Sequence, residues 1–204
     1  MTAMAQIAAF GVIVVYGAMS PGPDLVVVVR RSAVSGRGHG MAAAAGVAVG
    51  AFAWAVAAAG GVGELLFGAF TAVKVAGAAY LFFLGARSLW RAWRGSEALR
   101  LDAPARDGRG SWAAFTEGLL TTVLDWKAAL FFMALVPQFL GGDVSVPTLG
   151  VVALVSTIAW FLLVACLVGL LHEVFAIPLI RRAVDGLAGV TLIGLGTVLA
   201  FTRP

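Results

Sequence analysis

Four ionisable side chains stand in stretches that otherwise carry almost no charge: Asp24, Lys74, Asp125 and Lys127. A charged residue at the centre of a membrane helix costs about 2.5–3.5 kcal/mol, so such residues need a reason to be there. Two carboxylates and two ammoniums can hold a small zwitterion between them. A carboxyl can also take up and release a proton, which makes Asp24 and Asp125 the candidate proton carriers. Asp24 directly follows Pro21-Gly22-Pro23. Two prolines two residues apart remove two backbone donors and push the chain out of the α region. In apolar surroundings such a helix break is tolerable only where it lines a cavity. A carboxylate at the start of the following half-helix is favoured by the free backbone N–H groups there. The plainer alternative is a turn and cap at the membrane interface.

Lys74 lies deep in its apolar stretch and either snorkels outward or meets a buried partner or substrate. Asp125 and Lys127 are two residues apart, so on a regular helix they point about 200° away from each other. Either the helix is unwound there or each faces its own partner. The expected pairs are Lys127 with Asp24 and Asp125 with Lys74. Glu117, near the start of the same stretch, is expected to reach the headgroup zone as a vestibule charge.

The elements that position these residues follow from composition. Of 204 residues, 61% are apolar and 12% charged, and the mean hydropathy is +1.00. Soluble domains carry about 25% charged residues, so neither a soluble fold nor a disordered chain fits. A polytopic membrane protein does. The sequence pI of about 10.0 does not indicate nucleic acid, because the basic residues are scattered between apolar stretches and form no single surface. The single cysteine, Cys166, has no intrachain partner. No cysteine cluster for zinc or iron–sulfur exists, and no cofactor or metal is expected.

Charge-poor runs mark six expected spans: residues 7–19 running into the break at 20–24, then 40–63, 65–86, 112–135, 144–171 and 186–202. Without a basic residue before Arg30, the first stretch reads as a retained span and not a signal peptide. Arg30, Arg31 and Arg37 follow span one; Arg87, Arg91, Arg94, Arg100, Arg106 and Arg109 follow span three; Arg181 and Arg182 follow span five. The opposite side has only Arg203. By the positive-inside rule both termini lie outside the cytoplasm. The fold class expected is an all-α six-transmembrane-helix bundle, one transporter domain over 1–204.

The linker at 87–111 divides the chain into halves of about 1–86 and 112–204. Arg87, Arg91 and Arg94 continue span three as an amphipathic end, and Trp90, Trp93 and Trp112 suit the headgroup level. Pro137 and Gln138 are expected to end span four, leaving 137–147 as a short outer loop. Gly46 and Gly50 form a small-xxx-small face for close helix packing. The halves echo each other: Phe10-Gly11 against Phe115 and Gly118, a polar break in each, and Gly77 and Gly85 against Gly186 and Gly194. Three spans per half make the repeat inverted by parity, with a broken first helix in each half. That is a common build for secondary transporters, whose site lies at the repeat interface.

Pro21-Gly22-Pro23-Asp24, the glycines at 36, 40, 46 and 50, the stretch Lys74-Val-Ala-Gly-Ala-Ala-Tyr-Leu81 with Leu84-Gly85, and Lys127 through Pro137-Gln138-Phe139 together resemble the LysE/RhtB family of amino-acid exporters. The resemblance implies a six-helix inner-membrane protein exporting amino acids or similar metabolites with the proton motive force. It matches Asp24 to the family's acidic first-helix residue, and Lys74 and Lys127 to its two intramembrane lysines. One departure is that Asp125-Trp126-Lys127 stands where the family usually reads Asn-Pro-Lys. The missing proline weakens the expected break, and the added carboxylate is placed to neutralise Lys127.

The leading function is therefore a secondary exporter, not an enzyme. Its partners would be a small-molecule substrate (an amino acid above all), protons and the lipid bilayer, with no nucleic acid; a homo-oligomer is compatible with this. A channel is the main rival, because similar charges can line a pore. An intramembrane hydrolase would have only Ser20 with His39 or His172, without a G-x-S-x-G elbow. The charge asymmetry makes its own prediction. A cysteine placed at Arg100 should stay unlabelled by an impermeant thiol reagent in intact cells, and labelling there would reverse the orientation.

Overall fold

The computed structural model describes residues 2–20, 22–61, 63–94, 109–140, 144–170 and 178–201, with 63–74, 76, 77, 91, 94, 109, 178, 181, 182, 196 and 198–201 described by backbone alone. Pro21, His172 and the middle of the linker lie outside the described residues. Among the described residues there are eight helices and no strand. They are α1 (Ala3–Met19), α2 (Pro23–Ser35), α3 (Arg37–Ala59), α4 (Gly63–Arg94), α5 (Arg109–Val123), α6 (Trp126–Phe139), α7 (Val146–Leu170) and α8 (Pro178–Phe201).

Two of the junctions are sharp bends. Helices α1 and α2 meet at 69°, and α5 and α6 at 62°. At the first, Gly22 is the extended N-cap of α2 and Pro23 occupies its first turn, where a missing N–H costs nothing. At the second no proline is present. Asp125 instead adopts an extended backbone (φ −84°, ψ 104°), and its side chain accepts a hydrogen bond from the Lys127 N–H. The expectation that losing the proline weakens this break is thus corrected: the helix breaks there without a proline, and the Asp125 carboxylate caps α6.

Helices α3 and α7 are long and apolar enough to cross a membrane, and each bent pair would add one more span, giving up to four among the described residues. The order of a bent pair followed by two helices occurs twice along the chain. On α7, Val151, Val155, Leu163 and Leu167 form an exposed stripe about one or two helical turns apart, each at least half exposed. In water such a surface would be unfavourable; against lipid it costs nothing.

Small residues let the helices approach closely. A Cβ on Gly46 of α3 would fall 2.0 Å from the Phe115 carbonyl of α5, and one on Gly118 of α5 would fall 2.2 Å from the Ala43 carbonyl of α3. Gly50 likewise makes room for Thr122. The small-xxx-small face on α3 therefore packs backbone to backbone against α5. Helices α4 and α8 cross through Gly85 and Gly189, where an added Cβ would meet the other's carbonyl at 2.9 Å in both directions. The turn from α2 to α3 uses Gly36 at φ +96°, a conformation open to glycine.

Two boundaries differ from expectation. Helix α6 continues through Pro137 to Phe139, because a proline near a helix C-terminus removes a single bond and the Leu140 N–H still reaches the Val136 carbonyl. Helix α8 starts at Pro178, eight residues earlier than charge-free runs indicate, so Asp185 lies inside it.

The close approach of α3 and α5 predicts that Gly46→Ala costs about 3 kcal/mol of thermal stability in detergent, at the top of the overpacking range. Gly38→Ala, with nothing described within 4 Å of its added Cβ, should change stability by no more than about 0.5 kcal/mol. Equal effects would show that the two helices can simply move apart.

Candidate functional site

Both helix breaks open onto one cavity of about 310 Å³. Its polar lining comes from Ser20 at the end of α1, Asp24 in the first turn of α2, Thr122 at the end of α5, Asp125 and Lys127 at the start of α6, and Thr157 on α7. Its apolar wall includes Phe131, Phe132 and Phe161. Three of the four sequence-derived candidates, Asp24, Asp125 and Lys127, thus meet in one place. Lys74 lies on α4, but its side chain falls outside the described residues. Gly22 lines the cavity and Pro23 stands at the head of α2, as a break requires.

The hydrogen bonds cross from one break to the other. Lys127 Nζ donates to Ser20 Oγ at 2.6 Å. Thr122 Oγ1 donates to Asp24 Oδ1 at 2.9 Å. The expected Lys127–Asp24 ion pair is therefore replaced by two hydroxyl contacts, one on each charged group. A lysine ammonium has three donors and a carboxylate has about four acceptor positions. Each group thus keeps hydrogen-bonding capacity beyond its one hydroxyl. Ser20 and Lys127 stand at the exposed edge of the cavity, and Thr122 is buried.

Asp125 has another task. Its Oδ1 accepts the Lys127 backbone N–H at 2.9 Å, capping α6. The expected Asp125–Lys74 pair involves a side chain that lies outside the described residues. The end of α5 is satisfied from a different helix: Trp54 Nε1 on α3 donates to the Thr122 carbonyl at 3.0 Å. Ser20, weighed in the sequence as a nucleophile with a histidine, instead has Lys127 as its partner.

Sequence reasoning overlooked Thr122, Thr157 and the three phenylalanines. Thr122 left one usable signal: Thr121 and Thr122 are adjacent hydroxyls just before the break in an apolar run. The phenylalanines left none, since aromatic residues in a membrane stretch usually face lipid or other helices.

The sequence placed Arg30 and Arg31 among basic loop anchors and Glu117 at the headgroups. All three side chains are instead drawn into the bundle. Arg30 is 3% exposed and Glu117 8%. Arg30 pairs with Glu117 at 2.8 Å and with Asp185 at 3.5 Å. Arg31 also pairs with Glu117. The reason is tertiary: α2 turns inward after the break, so its middle packs against α5 and α8. Trp93 and Trp112 are strongly exposed at the linker ends of α4 and α5.

The LysE type translocator family matches residues 15–203. The threonine efflux protein of Escherichia coli K12 is 32% identical over 198 residues, which is 91% of this chain and 92% of the relative. The threonine efflux protein of Salmonella typhi is 31% identical over the same shares. An uncharacterized membrane protein of Pseudomonas aeruginosa is 35% identical over 147 residues, covering 69% of this chain and 67% of its own. No solved structure matches.

The cap at Asp125 generates a prediction. Asp125→Ala should lower thermal stability by about 1 kcal/mol, the usual cost of a lost N-cap, whereas Asp125→Asn should retain most of it. Equal losses would mean that the charge, not the cap, holds the break.

Proposed function

The chain belongs to the LysE type translocator family, whose members are membrane transporters and not enzymes, and we propose that it exports a small amino acid using the proton motive force. The observation that carries this reading is a small cavity where two helix breaks face each other with Asp24 on one and Lys127 on the other. A zwitterion needs one group of each sign. Its carboxylate would take the free donors of Lys127. Its ammonium would take Asp24 and the C-terminal carbonyls of α1, where the helix dipole favours a cation. Ser20 and Thr122 hydroxyls would hold those two charged groups until substrate replaces them. Phe131, Phe132 and Phe161 would surround the side chain. About 310 Å³ lies at the small end of ligand pockets, which run about 300–1,000 Å³. The threonine efflux relatives support threonine or an amino acid of similar size.

Asp24 is the proposed proton carrier, since Asp125 is committed to capping α6. One charge moved through 100 mV is worth about 2.3 kcal/mol. Lys74, on α4, is the proposed further contact in the pathway. The arrangement is read as six spans in an inner membrane, with α4 and α8 added to the two long helices and the two bent pairs. The halves of about 1–86 and 112–204 would be inverted repeats, with both termini outside the cytoplasm.

Asp24→Asn should abolish net export of the amino acid from preloaded cells while the protein accumulates normally in the membrane. Wild-type export by that variant would leave Asp24 as a helix cap and end its role as carrier. A current far above carrier rates would replace the transporter reading with a channel.

A further inference from the structure

A second charged layer lies one to two helical turns from the cavity, toward the linker. Arg30 Nη2 donates to Glu117 Oε1 at 2.8 Å, and Arg31 Nε to Glu117 Oε2 at 2.7 Å. Arg30 Nη1 reaches Asp185 Oδ1 at 3.5 Å. Among the described contacts, two cations face two carboxylates. The Tyr80 hydroxyl on α4 donates to the Glu117 carbonyl at 3.4 Å. Each of these contacts joins a residue before the linker to one after it.

The layer is tied mechanically to the cavity. Arg30 is six residues beyond Asp24 on α2, and Glu117 is five residues before Thr122 on α5, so each lies about 8–9 Å along the same helix. The side of the cavity away from the ion cluster is flanked by apolar residues instead. There Phe10 meets Phe139 edge to face at 5.4 Å, with Val14, Leu135, Val136 and Leu149 in the same buried cluster. Apolar side chains can slide past each other. A buried ion cluster is made or broken, because a partly separated charge in low dielectric is the costly state.

We propose that Arg30, Arg31, Glu117 and Asp185 form a gate that seals the linker end of the cavity in this conformation and comes apart when the carrier opens there. A static brace would stay closed throughout the cycle. The gate gives a two-state element whose equilibrium each member biases. The proposal rests on the carrier reading for its purpose, but the test reports which face is open whatever is carried.

In a Cys166→Ala background, Thr157→Cys places a thiol in the cavity. An impermeant thiol reagent is applied to each face, using vesicles of both orientations. The background should react from the face away from the ion cluster. Glu117→Gln should shift the ratio of the two labelling rates toward the cluster face by about tenfold or more. Should Glu117→Gln not accumulate, Arg31→Gln leaves the Arg30–Glu117 pair in place and should shift the ratio in the same direction by a few-fold. An unchanged ratio, even with a lowered melting temperature, identifies a brace and overturns the gate. Labelling of the background from the cluster face overturns it equally. Loss of transport with the expected labelling shift leaves the gate standing, and loss of the shift with intact transport removes the gate alone.

Discussion

A helix broken in apolar surroundings leaves N–H and C=O groups that water cannot satisfy, and the architecture depends on how they are satisfied here. At the second break the Asp125 carboxylate takes the Lys127 N–H, and Trp54 from α3 supplies a donor to the Thr122 carbonyl. At the first, the Ser20 N–H returns to the Gly17 carbonyl, and Pro23 has no N–H to satisfy. Once these groups are settled, the chain can turn by more than 60° twice. Each turn brings polar side chains to the same cavity.

The breaks alone would not meet. They are brought together because α3 serves as a common spine, packing against α5 through Gly46, Gly50 and Gly118. A backbone approach this close leaves Thr122 lodged beside Gly50, aimed at Asp24. The small residues of α3 thus do two things at once. They remove the volume that would hold the helices apart, and they set the position of a hydroxyl that contacts a charged cavity residue.

Charge is arranged in two layers with different physics. In the cavity, Asp24 and Lys127 are each held by one neutral hydroxyl and keep further hydrogen-bonding capacity. In the layer nearer the linker, Arg30 and Arg31 are matched against Glu117 and Asp185. A charge with spare capacity suits a ligand; a matched cluster suits a closure. Helices α2 and α5 carry members of both layers, so a movement of either helix is felt at both.

The sequence by itself determined the class of molecule and picked out the charged residues that line the cavity. Low charge and long apolar runs require a lipid environment, and Pro21-Gly22-Pro23 requires a break before Asp24, because both follow from local chemistry. Asp125 and Lys127 stood out for the same reason: a charge in an apolar run needs an explanation. Their partners were not visible. Sequence spacing paired Lys127 with Asp24 by opposite charge, whereas packing gave them Ser20 and Thr122, a match that depends on how α1 and α5 end in space. Arg30, Arg31 and Glu117 read as surface anchors because a basic residue between apolar runs usually marks a loop. Only the inward turn of α2 against α5 and α8 buried them, and such a turn is decided by contacts up to 155 residues apart, which no local pattern encodes.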